Sequence, residues 1–354
     1  MDFLYPDSTD PSYKDQMFPG YDSEEQDDML SVMATSKRIG LIWSSINIVF
    51  MIFALLINIF HVIILTKKPM RHNSINIVLI AIAISDIFLI YAGFESYFAL
   101  VKSYCSIPVS LTRNKYLLII VSLQNFARRF TSWLSVSIAL IRVLIVRNIF
   151  SGAIHLINSA KFGLITILIT LITCIPLSVL NYLQFHIVPK PWTPADNCDI
   201  SLTVSQSYQF YYVDMKPEIL ANQAKLLAIF QVFEGIISKI LPCALSLILS
   251  AILINGLRNT RKLSTVSMGK KDYTTKMIVF MTVSFFIAEA PQGLIFLLES
   301  IFHKYGFYVI FEQISIFFKL LLTINSCTHC IFCLLMCRKY RNCVRMLLCF
   351  RMVT

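Results

Sequence analysis

Seven long apolar runs follow one another along the chain and are separated by short polar stretches. Each is long enough to cross the hydrocarbon core of a bilayer as a helix, which takes roughly 20 residues. The connections are short, and neither a second soluble domain nor an internal repeat interrupts the series. The pattern predicts an all-α membrane protein, a seven-transmembrane helix bundle. We number its spans one to seven, and they cover about 39–66, 74–100, 115–146, 160–187, 226–256, 274–300 and 307–336.

Composition supports this class and divides the chain into three parts. Hydrophobic residues make up 56% of the 354 residues and charged residues only 14%, whereas an ordinary soluble domain carries about 25% charge. We predict an acidic, disordered extracellular tail over 1–38, a receptor-like bundle over 39–336, and a cytoplasmic amphipathic helix and tail over 337–354. In that helix, Tyr340, Val344, Leu347 and Phe350 can face the lipid, while arginines lie nearer the phosphates.

The distribution of charge predicts the orientation. The first 28 residues carry nine acids and one lysine, while lysine and arginine gather in alternate loops and after span seven. The positive-inside rule then places the amino terminus outside and the carboxyl terminus in the cytosol of a multi-pass plasma-membrane protein. The net charge of +11 is therefore an orientation signal, and nucleic-acid binding is not expected.

Cysteines differ between the two sides. Cys105 and Cys198 lie in segments expected outside, where an oxidising environment permits a disulfide between them. Cys343 and Cys349, in the basic tail, are candidates for lipidation, against the alternative that they are simply buried.

Four polar residues lie at matched depth inside apolar spans: Asn58 in span one, Asp86 in span two, and Asn325 and His329 in span seven. Polar groups are costly in the membrane interior, so they usually mark function or a paired network. Two interpretations remain open here. One is an inward-facing network with water or an ion, and the other is a hydrogen-bonded cluster that only fixes helix packing.

Ionisable residues also occur deep in several spans, and their heights permit an Arg129–Glu289 or an Arg128–Glu289 ion pair. The functional interpretation is a polar ligand cavity open to the outside, and the alternative is a set of structural ion pairs. The spread over several spans favours the cavity. The candidate ligand-binding residues are Glu95, Arg128, Arg129, Glu234, Glu289 and Lys319.

These motifs resemble those of rhodopsin-like G-protein-coupled receptors. The resemblance implies that Arg142, in the stretch "SIALIRVLIV", faces the cytosol and meets a G protein when span six swings outward. It assigns activation and coupling to residues that match the class in spans one, two, three, five and six, to which Asn325 and His329 of span seven are added. The full set is Asn58, Asp86, Arg142, Pro242, Phe285, Pro291, Asn325 and His329.

Departures from that class point to a particular family. Ile141 stands where an acid usually precedes the arginine, Glu289 where a tryptophan usually precedes the sixth-span proline, and "NSCTHCIFC" replaces the seventh-span motif. Together with "SWLSVSIALIR", "IAEAPQG" and "CTHCIFCLLMCRKYR", these changes look like the nematode serpentine receptor class W, chemoreceptors akin to neuropeptide receptors. Without an acid at position 141, some activity in the absence of ligand is possible.

The ligand is expected to be a short basic peptide, such as an amidated one. Alternating residues between Cys198 and Met215 predict a β-hairpin lid, which resembles that of peptide receptors, and acids near the mouth suit a cationic ligand. The alternative is a small environmental molecule, and a seven-span channel or transporter is less favoured because no repeat or paired broken helices occur. No enzyme, cofactor or metal constellation is visible, and the expected partners are the ligand, a heterotrimeric G protein and membrane lipids.

Overall fold

The computed structural model describes residues 14, 17, 18, 20–102, 110–147, 153–191, 209–263, 268–302 and 305–349. Within them, seven helices are long and apolar enough to cross a membrane, which confirms the predicted bundle. The helices of spans one to four are Ser23–Leu65, Ser74–Lys102, Leu111–Arg147 and Ala160–Leu183. Span five comprises Pro217–Gly235, a π-helical turn Ile236–Ile240, and Leu241–Leu263, while spans six and seven are Met268–Ile301 and Tyr305–Met336.

Shorter elements complete the two ends of the bundle. A five-residue helix, Ala153–Ile157, precedes span four, and an amphipathic helix, Arg338–Cys349, follows span seven. Strands β1 (Phe185–Pro191) and β2 (Gln209–Met215) pair antiparallel between spans four and five. We call the end that carries these strands the hairpin end, and the other the C-terminal end.

Span one begins far earlier than its apolar run. The predicted disorder is wrong for residues 23–38, which belong to the helix Ser23–Leu65. The Asp22 side chain caps the helix by accepting a hydrogen bond from the Glu25 amide at 2.8 Å, and Glu24 and Glu25 face its positive end. Acids that suggested a solvated tail therefore stabilise the start of a helix.

The hairpin was anticipated only in part. Strand β2 falls within the stretch whose alternation predicted it, but its partner β1 lies in "FHIVPKP", whose first three residues the sequence assigned to the end of span four. Prolines at 189 and 191 are unsuited to a central strand, yet they are tolerated in a two-stranded edge. The side chain of Asn114 in span three donates to the backbone carbonyl of Tyr211 and so ties the hairpin to the bundle.

Prolines act differently in the three spans that contain them. Spans four and six continue as single helices through Pro176 and Pro291. In span five, the π-helical turn Ile236–Ile240 directly precedes Pro242, which is fully buried. Proline cannot donate to the carbonyl four residues before it, and a π turn is one way to relieve that mismatch.

The largest apolar cluster lies in the half of the bundle nearer the C-terminal end and involves spans one, two, three, four and seven. Ile141, the residue at the place of the missing acid, is 2% exposed and belongs to this cluster. An acid there would require an unpaired carboxylate in the core, so the apolar residue is consistent with its surroundings.

The C-terminal helix packs against this cluster through a buried tyrosine. Tyr340 has no exposed surface, and its hydroxyl lies 2.9 Å from Nδ1 of His61 and 3.4 Å from Sγ of Cys330. Burial raises the pKa of the Tyr340 hydroxyl, so it stays protonated and can donate to His61. Tyr340 and Val344 thus face the bundle, which corrects the expectation that they face lipid; Phe350 lies outside the described residues.

Cysteine positions bear on two expectations. Cys343 is buried in the same cluster, which argues against it as a lipidated cysteine. The side chain of Cys349 and the proposed Cys105–Cys198 disulfide lie outside what the structure describes, so both stay predictions.

Truncating Tyr340 should loosen the C-terminal helix. We expect Tyr340→Ala to lower the free energy of unfolding by about 3–5 kcal/mol, since a fully buried ring is lost. Tyr340→Phe should cost only about 1 kcal/mol, the ordinary net value of a hydrogen bond. Denaturant unfolding of the purified protein in detergent measures both, with exposed Lys339→Ala as the control. Equal effects for Tyr340→Ala and Lys339→Ala would contradict this docking role.

Candidate functional site

An arginine with almost no exposed surface lies at the centre of the bundle. The side chain of Arg129 in span three is 1% exposed, and its Nη2 lies 2.6 Å from Oε2 of Glu234 in span five. Its Nε donates to Oγ of Ser238 at 2.8 Å, and its Nη1 donates to Oγ of Ser178 in span four at 2.6 Å. One side chain thereby joins three spans, in the multi-donor manner that suits a guanidinium.

A second buried ion pair lies beside the first. Nζ of Lys239 in span five is 2.6 Å from Oε2 of Glu289 in span six, and both side chains are less than a tenth exposed. The hydroxyl of Ser132 in span three lies 3.1 Å from the other carboxylate oxygen of Glu289 and 3.1 Å from the backbone carbonyl of Arg128, and it can donate to either. We call the two pairs with Ser132, Ser178 and Ser238 the buried ion-pair cluster.

The predicted pairing is therefore corrected. Arg129 pairs with Glu234 and not with Glu289, whose direct cation is Lys239. Sequence spacing gave the right height for these groups but not the right rotation. Ser238 and Lys239 both belong to the π-helical turn and are both buried.

Other charged groups surround the cluster at longer range. Arg128 interacts electrostatically with Glu289 and with Asp86, a buried residue of span two. Lys319 interacts with Arg128 and with Glu299 and Glu312, and Glu299 accepts a hydrogen bond from Gln231 at 3.1 Å. Sequence reasoning missed Glu299 and Glu312, although acids at this depth in spans six and seven were a sufficient signal.

Glu95 does not join these residues. Its carboxylate lies 2.6 Å from Nη2 of Arg113, which also stacks over the ring of Tyr116 at 5.2 Å. This pair is much more exposed than the central pairs. Of the six predicted ligand-binding residues, Arg128, Glu289 and Lys319 are linked by electrostatic interactions, Arg129 and Glu234 form an ion pair with each other, and Glu95 forms a separate group.

A cavity of about 50 Å³, lined by both apolar and polar side chains, lies nearer the C-terminal end, with room for a few water molecules. Its walls come from spans three, five, six and seven and include four of the predicted activation residues: Arg142, Phe285, Asn325 and His329. Oδ1 of Asn325 and Nδ1 of His329 are buried and make no hydrogen bond within the described part of the chain. We call this the Arg142 cavity.

The four polar residues of matched depth divide into separate groups. Asn58 donates to the carbonyl of Ala54 at 3.0 Å and lies 3.5 Å from Oγ of Ser326, an arrangement that fits a packing role. Asp86 lies within electrostatic range of the ion-pair cluster, whereas Asn325 and His329 line the Arg142 cavity. The single network considered from the sequence is therefore replaced by three local environments.

The comparison with protein families decides what the bundle is. A family model described as serpentine type 7TM GPCR chemoreceptor Srw matches residues 45–351, most of the chain. The chain belongs to this family. No curated protein matches it. The Srw chain is thus a receptor of the G-protein-coupled type and not an enzyme, and its seven spans make it a multi-pass membrane protein.

The central pair Arg129–Glu234 and the more exposed pair Arg113–Glu95 of this Srw receptor should differ in how much they contribute to the free energy of unfolding. Arg129→Met removes the buried partner of the half-buried Glu234 and leaves that carboxylate without its cation, so we expect a loss of up to about 3 kcal/mol in the free energy of unfolding. The double variant Arg129→Met/Glu234→Gln should lose less than the single variant, because no uncompensated charge remains. Arg113→Met, at the exposed pair with Glu95, should cost under about 1 kcal/mol.

Denaturant titration of the purified variants in detergent measures these differences. A double variant that loses as much as the sum of its single variants would show that Arg129 and Glu234 are not energetically coupled.

Proposed function

We propose that this Srw receptor lies in the plasma membrane with its amino terminus outside, binds a short cationic peptide at the hairpin end, and activates a heterotrimeric G protein at the C-terminal end. The observation that supports the signalling half is the Arg142 cavity. Its walls come from spans three, five, six and seven and include Arg142, Phe285 and Asn325. A shift of any of these spans changes its size, as a ligand-controlled population shift requires.

The peptide half of the proposal is supported by the hairpin and by acidic residues. The Asn114 contact holds β2 against span three, where an extended peptide can pass beside the strand. Glu95, Glu299 and Glu312 offer carboxylates outside the two central pairs, although each also interacts with a cation of the protein. A ligand with an amine or guanidinium suits this arrangement.

A small environmental molecule is the second candidate. The Srw family is a family of chemoreceptors, and Glu234 and Glu289 already have cations within the protein. A ligand without a strong positive charge would leave those pairs intact and bind above them.

A library of short amidated peptides, rich in arginine and lysine, tests the choice by G-protein activation in heterologous cells. We expect a dose-dependent response that Arg142→Ala abolishes, because the mutation removes the cation of the cavity. Arg147→Ala is the matched control, since that arginine is exposed at the last residue of the same helix and should leave the response intact.

Three other results separate the alternatives. Silence toward every peptide at confirmed surface expression, with a response to small molecules, would favour the chemosensory candidate. Signalling without ligand that is lost in Arg142→Ala would indicate that the apolar residue at 141 leaves the inactive state weakly held. A response retained in Arg142→Ala would contradict the proposed role of the cavity.

A further inference from the structure

Spans five and six meet at three successive points that differ in chemistry. The first is a close approach of backbones: a Cβ atom on Gly293 would lie 2.8 Å from Cγ1 of Ile240 and 3.3 Å from the carbonyl oxygen of Gly235. Neither glycine has room for a side chain without displacing the other helix. This contact fixes the two helices relative to each other on the hairpin side of Pro291.

The second point is the Lys239–Glu289 pair, two residues before Pro291. Because proline donates no hydrogen bond to the carbonyl of Ile287, the helix is least restrained by its own backbone here. The glycine contact lies after the proline and the ion pair before it. The ion pair is thus the polar contact that restrains the residues of span six before Pro291, on the side toward the C-terminal end of the bundle.

The third point lies about 10 Å from the ion pair, two helical turns before Glu289 in span six and nearer the C-terminal end of the bundle. There the hydroxyls of Ser250 in span five and Thr282 in span six are 2.6 Å apart, at the wall of the Arg142 cavity. Phe285 lies between this contact and the ion pair and lines the same cavity. Movement of span six about Pro291 would separate Ser250 from Thr282 and enlarge the cavity.

We infer that the Lys239–Glu289 ion pair is the lock that holds this receptor closed, by fastening span six to span five, with Ser132 of span three as a second anchor. The strength of a buried, charge-assisted contact suits it to that role. Arg129 and Glu234 join spans three and five and do not restrain span six.

The pair also has electrostatic neighbours. Arg128 and Asp86 both lie within electrostatic range of Glu289, and Arg128 also interacts with Asp86. The variant Lys239→Met/Glu289→Gln removes both charges at once, so neither member of the pair is left as an unpaired ion. It is therefore the principal variant, and Glu289→Gln alone is the second.

The first measurement is ligand-independent G-protein activation at matched surface expression, and this readout rests on the proposed function. We expect the principal variant to raise basal signalling roughly fivefold or more, the lower end of ordinary conformational coupling. Gln231→Met is the matched control, because it removes a buried hydrogen bond between spans five and six on the other side of Pro291. It should leave basal signalling unchanged.

The second measurement does not depend on a G protein. Cysteines introduced as Ser250→Cys/Thr282→Cys should form a disulfide in the closed receptor, since the native hydroxyls are in contact. Mild oxidation followed by labelling of the remaining thiols gives the cross-linked fraction. The variants Ser250→Cys and Thr282→Cys, each with one added cysteine, give the background. Adding Lys239→Met/Glu289→Gln should lower that fraction, and adding Gln231→Met should not.

The two measurements together separate the possible failures. Unchanged cross-linking in the principal variant at normal surface expression would overturn the lock. A lower cross-linked fraction without any change in signalling would support the lock and contradict G-protein coupling. A similar loss of cross-linking in Gln231→Met would also overturn the lock, because any weakening of the contact between spans five and six would then suffice.

Discussion

A charge taken into the hydrocarbon of a membrane must be paired, and this requirement organises the centre of the bundle. Arg129 meets it with one carboxylate and two hydroxyls drawn from spans four and five. Each partner has to arrive at a fixed distance, so the arginine determines how these spans rotate against span three. The lipid-facing surfaces provide no such specificity, because exposed Leu and Ile side chains there are interchangeable in apolar surroundings.

The π-helical turn Ile236–Ile240 follows from the same requirement. Pro242 cannot complete the regular hydrogen bonding of the helix, and the widened turn before it turns Ser238 and Lys239 toward the interior. Ser238 then reaches Arg129, and Lys239 reaches Glu289. The π-helical turn of span five thus supplies a contact to each of the two ion pairs of the cluster.

The sequence predicted the spans well because a membrane helix is recorded locally, in one apolar run. It also predicted that charged residues such as Arg129 and Glu289 lie in the interior, since a charge in such a run stands out. It failed on the pairing of Arg129 and on the direction of Tyr340, because both depend on helix rotation, which is set by contacts between distant segments. It also failed at residues 23–38, where capping by Asp22 outweighed an acidic composition.

Gly235 and Gly293 face each other and determine how closely spans five and six approach at the Lys239–Glu289 ion pair. Gly235 and Gly293 bring spans five and six so close that Lys239 and Glu289 meet at 2.6 Å, and the same closeness prevents sliding on the hairpin side of Pro291. Movement is then confined to the segment that lines the Arg142 cavity. An event at the charged centre, whether a ligand's cation or a change in hydration, can reach that cavity by changing how span six is held, since span six carries both Glu289 and Phe285.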